Sequence, residues 1–220
     1  MGRRSLAGDV LGIAPALLGF VVEHRTEDGV VAVRLTEVEA YAGLDDPASH
    51  AFRGPTARTR VMFGPPGRLY VYFSYGMHWC ANVVCGPDGT ASAVLLRAGE
   101  VVRGAALATA RRPACRRSVD LARGPARLCS ALGIGGEHDG IDLLARASPI
   151  RLLAPSTAVD AGRIGTGPRV GIRAAADRPW RYFLDGEETV SAYRPIADRR
   201  ATGAGIADAI RQTGHRDRSR

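Results

Sequence analysis

Lysine is missing from this chain of 220 residues; all 30 of its basic side chains are arginine. No side chain therefore offers the amine that forms a Schiff base with a sugar aldehyde, which excludes covalent chemistry by that route. Asparagine and glutamine are reduced to one each, Asn82 and Gln212. The bias toward arginine, alanine and glycine reads first as the codon usage of a genome rich in G and C. The cysteines, Cys80, Cys85, Cys115 and Cys129, make no Cys-x-x-Cys pair, and the histidines do not cluster with them. That spacing argues against a zinc or iron–sulfur site and leaves reduced, buried thiols, so no metal and no cofactor are expected. Long apolar runs are absent too: residues 11–22 are broken by Gly12, Pro15 and Gly19, too early for a membrane span. Arg3 and Arg4 are followed by Asp9 rather than by the unbroken apolar core of a secretory signal. A cytoplasmic protein with no membrane partner is the expectation.

What is present is charge of one sign. The net charge of +8 suits phosphate, because each arginine that neutralises one releases a counterion; it also suits a merely soluble, non-specifically sticky protein. The length is enough for one domain with a substantial core. Alternation and turn residues predict strands at 21–23, 30–41, 68–73, 80–85, 91–96, 169–172 and 181–184. Helices are predicted within 5–19, where Pro15 interrupts, at 100–111, and from Pro125 through Leu132, with proline in a favoured first turn. The basic run 111–117 reads as a mobile loop. The fold class is α+β, a single domain with an antiparallel sheet surrounded by helices and loops, over residues 1–192. Residues 193–220 read as a polar, basic, flexible tail.

Two short runs hold the chemistry. In Thr36-Glu37-Val38-Glu39-Ala40-Tyr41, Glu39 and Tyr41 are two apart and project the same way from an extended chain. A regular strand would place them on the face of Val31, Val33, Leu35 and Glu37. A carboxylate beside a ring can activate water close to a stacked base; Glu37 fits that role as well, and both glutamates fit an ordinary solvated strand. In Leu69-Tyr70-Val71-Tyr72-Phe73-Ser74-Tyr75-Gly76-Met77, Tyr70 and Tyr72 share a face opposite Leu69, Val71 and Phe73. Gly76 suggests a turn that lifts Tyr75 off the sheet, as a nucleic-acid wedge requires. Asn82, in an otherwise apolar strand, must find partners, either bracing backbone or reading a ligand edge. His50 caps a pocket or sits on the surface.

These residues do not stand alone. Val38-Glu39-Ala40-Tyr41, His50, Arg58-Thr59-Arg60-Val61-Met62-Phe63, Gly67, Leu69-Tyr70-Val71-Tyr72, Tyr75-Gly76-Met77, Asn82 and Val94-Leu95-Leu96-Arg97-Ala98 follow one another, then Gly124-Pro125-Ala126-Arg127-Leu128-Cys129, Gly167-Pro168-Arg169-Val170-Gly171-Ile172 and Pro179-Trp180-Arg181-Tyr182-Phe183. The ordered set closely resembles the alkyladenine (3-methyladenine) DNA glycosylase family, and departs from it at His78 and over residues 103–123. The resemblance implies a curved antiparallel sheet in one α+β domain. Glu39 would be the general base and Arg97 its positioning partner. Tyr41, His50 and Tyr72 would sandwich the extruded base, with Asn82 on the pocket floor. Tyr75 would fill the vacated stack. Arg58, Arg60, Met62 and Met77 would lie against DNA.

The implied activity is that of a monomeric, monofunctional hydrolase acting on duplex DNA that contains damaged bases. It would swing out alkylated purines such as 3-methyladenine or 7-methylguanine and leave an abasic site. Cationic alkylpurines favour aromatic faces and are good leaving groups. Three other readings compete: a non-catalytic binder of damaged or distorted nucleic acid, an RNA-binding protein, and a glycosidase of free sugars. The last needs carboxylates on both sides of the bond, which Glu37 and Glu39 on one strand face do not supply.

Overall fold

The computed structural model describes residues 2–193, and the expectations for the tail beyond fall outside them. Eight strands form one open antiparallel sheet: β1 Val21–Thr26, β2 Gly29–Tyr41, β3 Leu69–Ser74, β4 His78–Cys85, β5 Ser92–Arg103, β6 Ile150–Leu153, β7 Ile164–Gly167 and β8 Arg181–Leu184. The main path runs β3-β4-β5-β2-β1-β6. The long β2 pairs along one side with β5; on its other side its first half takes β1 and its second half takes β8, which also pairs β7. The helices are α1 Val10–Ala16, α2 Ala105–Arg111 and α3 Pro125–Leu132.

One irregularity sets where the chemistry sits. On β2, Leu35 pairs Gly99, Glu37 pairs Ala98 and Val38 pairs Leu96, so the register shifts twice around Thr36 and Glu37. The first shift places an extra residue on β2 and the second places one on β5, so along β2 the side to which the residues point reverses once. Accordingly Val31, Val33 and Leu35 face the main core, and past the irregularity it is Val38 and Ala40 that do so. Glu37, Glu39 and Tyr41 therefore do not share the face of Val31, Val33 and Leu35, as a regular strand would have it. They are delivered to the opposite side.

The two faces of the sheet are unlike. Leu69 and Val71, Ala81 and Val83, Val94 and Leu96, and Val38 and Ala40 pack with α1 and α3 into the main core. The other face carries a small second cluster, Ala51, Met62, Tyr70, Val84, Ala91 and Ala93, and beside it the polar groups described below.

Three predicted elements need correction. The helix expected at 100–111 begins only at Ala105, because β5 keeps its ladder with β2 to Arg103. Gly104 then turns the chain with φ 74°, where a Cβ would lie 2.1 Å from the Val30 carbonyl oxygen. The strand expected at 169–172 is a loop, and the ladder ends one residue before Pro168, which has no N–H to continue it. Pro15 does not break α1 but sits in its last turn, behind an Asp9 cap that accepts from Leu11 N–H at 3.2 Å. β6 and β7 carry too little alternation to be read from sequence. The basic run 111–117 is tied down at its start: Arg111 donates to the Leu132 carbonyl at 2.8 Å and Arg112 to that of Leu121 at 2.6 Å.

All four cysteines are unpaired, three of them buried. Among the described residues no group of acidic, histidine and cysteine side chains is arranged to hold a metal, and no helix is long and apolar enough to cross a membrane.

Candidate active site

The face of the sheet opposite the main core holds a cavity of about 390 Å³, which Pro125 at the start of α3 also lines. Its floor comes from β4 (Cys80, Asn82) and β5 (Ala93, Leu95, Arg97). Tyr72 of β3 stands on one flank and Tyr41, at the end of β2, on the other. Two strands lie between β3 and β2, which separates their backbones by about 14 Å. That leaves room for a flat ring between the two tyrosines.

His50 and Tyr72 meet edge to face, centroids 4.5 Å apart at 85°. A base inserted between two walls needs them about 7 Å apart, so none fits between this pair. His50 and Tyr72 therefore stand together on one side of the cavity, and Tyr41 lines the other. Beneath, the buried Tyr70 ring stacks on Tyr72 at 5.6 Å, and its hydroxyl lies 3.1 Å from His50 Nδ1. Arg58 lies over the Tyr72 ring at 5.3 Å, with one guanidinium nitrogen 3.2 and 3.3 Å from the His50 ring nitrogens. It packs on this wall while its residue stays exposed. Desolvation, with the Arg58 charge adding to it, pulls the His50 pKa down to about 4, so the imidazole is neutral at physiological pH.

Asn82 does both things its position allowed. Its amide nitrogen donates to the Tyr70 carbonyl at 3.1 Å, and the side chain also lines the cavity. Met62, expected against DNA, is only 3% exposed. It backs the cavity from the second cluster, since a thioether gains more from packing on Tyr70 and Ala93 than from the surface. Arg60 is exposed in the 3-10 turn Arg60–Phe63.

The carboxylates are now distinguishable. Glu37 Oε1 accepts from Arg97 Nε at 2.9 Å, Arg181 Nη1 at 3.1 Å and the Ser191 hydroxyl at 2.9 Å; Oε2 accepts from Ser191 N–H at 2.8 Å. It is saturated and fully buried, and of its partners only Arg97 lines the cavity. Glu39 Oε1 accepts from Val170 N–H at 2.7 Å and pairs with Arg97 Nη1 at 3.2 Å, while Oε2 accepts from the Tyr41 hydroxyl at 2.9 Å. Glu39 is itself 0% exposed, but Val170, Arg97 and Tyr41 all line the cavity. Its carboxylate lies one layer behind the wall. Burial raises the Glu39 pKa, opposed by Arg97, then by Val170 N–H and Tyr41. Burial and the Glu39 charge push the Tyr41 phenol well up, which keeps it a donor.

At the rim, β3 and β4 are joined by Tyr75-Gly76-Met77. Tyr75 has φ 50° and Gly76 φ 65°. A left-handed tyrosine is uncommon; here it throws the ring outward, 81% exposed, beside Met77 at 65%. Phe73 and Trp79, exposed at the base of the hairpin, pack on each other at 4.7 Å.

Residues 4–188 match the model of one family, methylpurine-DNA glycosylase. The chain belongs to that family. Similar proteins named as 3-methyladenine DNA glycosylases include one from Frankia casuarinae, 57% identical over 84% of this chain and 89% of that protein. Others come from Streptomyces avermitilis, 51% identical over 90% and 93%, and from Mycobacterium tuberculosis, 51% over 93% and 99%. The protein is a DNA glycosylase for alkylated bases, a hydrolase of N-glycosyl bonds, with DNA as its substrate.

In this glycosylase two cavity-forming features escaped the sequence reading. Val170 N–H, the shortest contact to Glu39, comes from a stretch that reads as a strand. Arg169, beside it, is fully buried and paired with Asp46. The adjoining Pro168 and Gly171 signal an irregular backbone, but nothing local indicates that Arg169 reaches an aspartate 123 residues away.

Proposed function

We propose that this glycosylase rotates an alkylated purine, such as 3-methyladenine or 7-methylguanine, out of duplex DNA. The purine is held between Tyr41 and the His50–Tyr72 wall, and Glu39 directs water at C1′ of its sugar. The observation that carries this reading is the placement of Glu39. No aspartate or glutamate among the described residues lines the cavity, and Glu39 is hydrogen-bonded or ion-paired to three groups that do.

The chemistry follows from the charge balance. Three donors compensate a buried carboxylate, so it can remain ionised in a water-poor site, where its field is strong. As the bond from C1′ to a cationic base breaks, positive charge grows on the sugar, and a preorganised anion nearby stabilises it without reorganising. Because its partners cover Glu39, the attacking water enters between Tyr41, Arg97 and Val170, and Arg97 orients both water and carboxylate. Neutral His50 adds no positive charge against an alkylpurine cation.

Extrusion costs a few kcal/mol, least for a damaged base. Tyr75, rigid and outward, offsets part of that by filling the gap, while stacking in the pocket contributes about 1–3 kcal/mol per base. Met77 and the exposed Arg60 contact DNA beside it. The chain has no lysine, so bond cleavage leaves an abasic site without a lysine-linked adduct.

The test is release of free purine from methylated duplex DNA by the wild type and by Glu39→Gln. Losing the base should slow release by about 10²–10⁴-fold. Equal rates would move the chemistry elsewhere, and a covalent adduct trapped by borohydride would contradict the monofunctional mechanism.

A further inference from the structure

Both side chains of the Arg169–Asp46 pair have zero exposure. Arg169 Nη1 meets Asp46 Oδ2 and Nη2 meets Oδ1 at 2.9 Å, a bidentate fork. The same guanidinium donates to the Ala40 carbonyl at 3.0 Å and lies over the rings of Tyr41, at 4.7 Å, and Trp180, at 5.0 Å. The next residue along the chain is Val170, whose N–H holds Glu39. Asp46 also accepts from the backbone N–H groups of Ala42, at 3.4 Å, and Ala48, at 3.2 Å. These bracket it in the loop that leads from Tyr41 to His50. One ion pair thus joins three separate cavity segments: the end of β2, the 42–50 loop and the 168–172 loop.

Stability is a poor reason for such a pair, because burying two charges costs about as much as their attraction returns. The Arg169 Nε even lacks a partner among the described residues. Geometry is a better reason, since a planar fork fixes orientation as well as distance.

We propose that Arg169 and Asp46 are positioning residues of the glycosylase site, holding from behind the Tyr41 ring and the Val170 amide that orient Glu39. The inference rests on the Glu39 reading above and adds two residues that touch neither base nor sugar. The charged and titratable groups facing Glu39 are Arg97 from β5, Tyr72 from β3, Cys80 from β4, and Glu37 and Tyr41 from its own strand. Of its three donors, Val170 N–H and the Tyr41 hydroxyl depend on the pair. Losing their alignment raises the carboxyl pKa, because burial is then less opposed. A base that must be ionised would then fail at a higher pH.

The experiment is single-turnover release of 3-methyladenine from methylated duplex across the acid-to-neutral range, with wild type, Asp46→Asn, Arg169→Lys and Arg169→Met. Affinity for duplex containing an abasic site is measured alongside. A displaced catalytic group costs on the order of 100-fold in the chemical step. The expected result is that loss with affinity unchanged, the acid limb of the rate profile moved up in pH, and Arg169→Lys between wild type and Arg169→Met. Folded variants with wild-type rate and profile overturn the proposal, as does a loss confined to affinity. If Arg169→Met does not fold, the double variant Arg169→Met/Asp46→Leu removes both fully buried charges, leaving only the part-exposed Arg178 without its Asp46 contact, and takes its place, with the same two outcomes. Glu39→Gln separates the two levels. If it is as active as wild type, the Glu39 reading itself fails; if it is inactive while Asp46→Asn runs at full rate, only the positioning role fails.

Discussion

Arg97 Nε donates to Glu37 Oε1 at 2.9 Å. The same side chain turns Nη1 toward Glu39, at 3.2 Å. One arginine is therefore shared by two buried carboxylates, and Glu37, gripped further by Arg181 and Ser191, is the anchor that fixes it.

That division of labour separates two conservative substitutions. Glu37→Gln leaves Arg97 and Arg181 short of a counter-charge and should cost about 3–5 kcal/mol of stability, read as a lower denaturation midpoint. Glu39→Gln should fall mainly on base release. Wild-type stability in Glu37→Gln would refute the anchoring role.

The His50 imidazole should titrate near pH 4. Because its folded pKa lies below the unfolded value of about 6.5, the unfolded chain binds the extra proton first. This residue's contribution therefore lowers stability as pH falls from about 6.5 toward 4 and is constant above. Ring-proton NMR in wild type and Arg58→Ala checks it: removing the arginine should raise the value, though not to 6.5, because desolvation is the larger cause. A wild-type midpoint near 6.5 would show that the wall does not desolvate the ring.

Tyr75 should behave as a strained functional residue. In a left-handed conformation glycine avoids a steric cost of about 1–2 kcal/mol and loses about 0.5–1 kcal/mol in chain entropy. Tyr75→Gly is therefore expected to be neutral to slightly stabilising in thermal melts, yet to bind and process duplex poorly while retaining more activity on single strands. Equal losses on both substrates would argue against a wedge.

The hydroxyls of Thr36 and Thr189 meet at 2.8 Å in the interior. Thr36→Val strands the other hydroxyl and should cost about 1–3 kcal/mol. Adding Thr189→Val should recover much of that loss. Strictly additive losses in the double-mutant cycle would show that the contact carries no coupling.

Much of the architecture was legible in the chain. The alternation Leu69-Tyr70-Val71-Tyr72 fixed which face of β3 packs and which bears rings, because a strand turns every second side chain to the same side. Pro125 and the segment after it marked α3, and the two-residue spacing put Glu39 and Tyr41 together. Which face they share was not legible. The irregularity at Thr36 and Glu37 is a property of how β2 pairs β5, and it moves both residues from the core side to the cavity side. Spacing alone did not choose between Glu37 and Glu39 either: the resemblance named Glu39, whereas the saturation of Glu37 by Arg181 and Ser191 requires contacts from residues 144 and 154 positions away. Local spacing determines what a strand can present. Only the closure of distant segments, through Val170 on Glu39 and Arg169 on Asp46, decided what that presentation faces and in which charge state it is held.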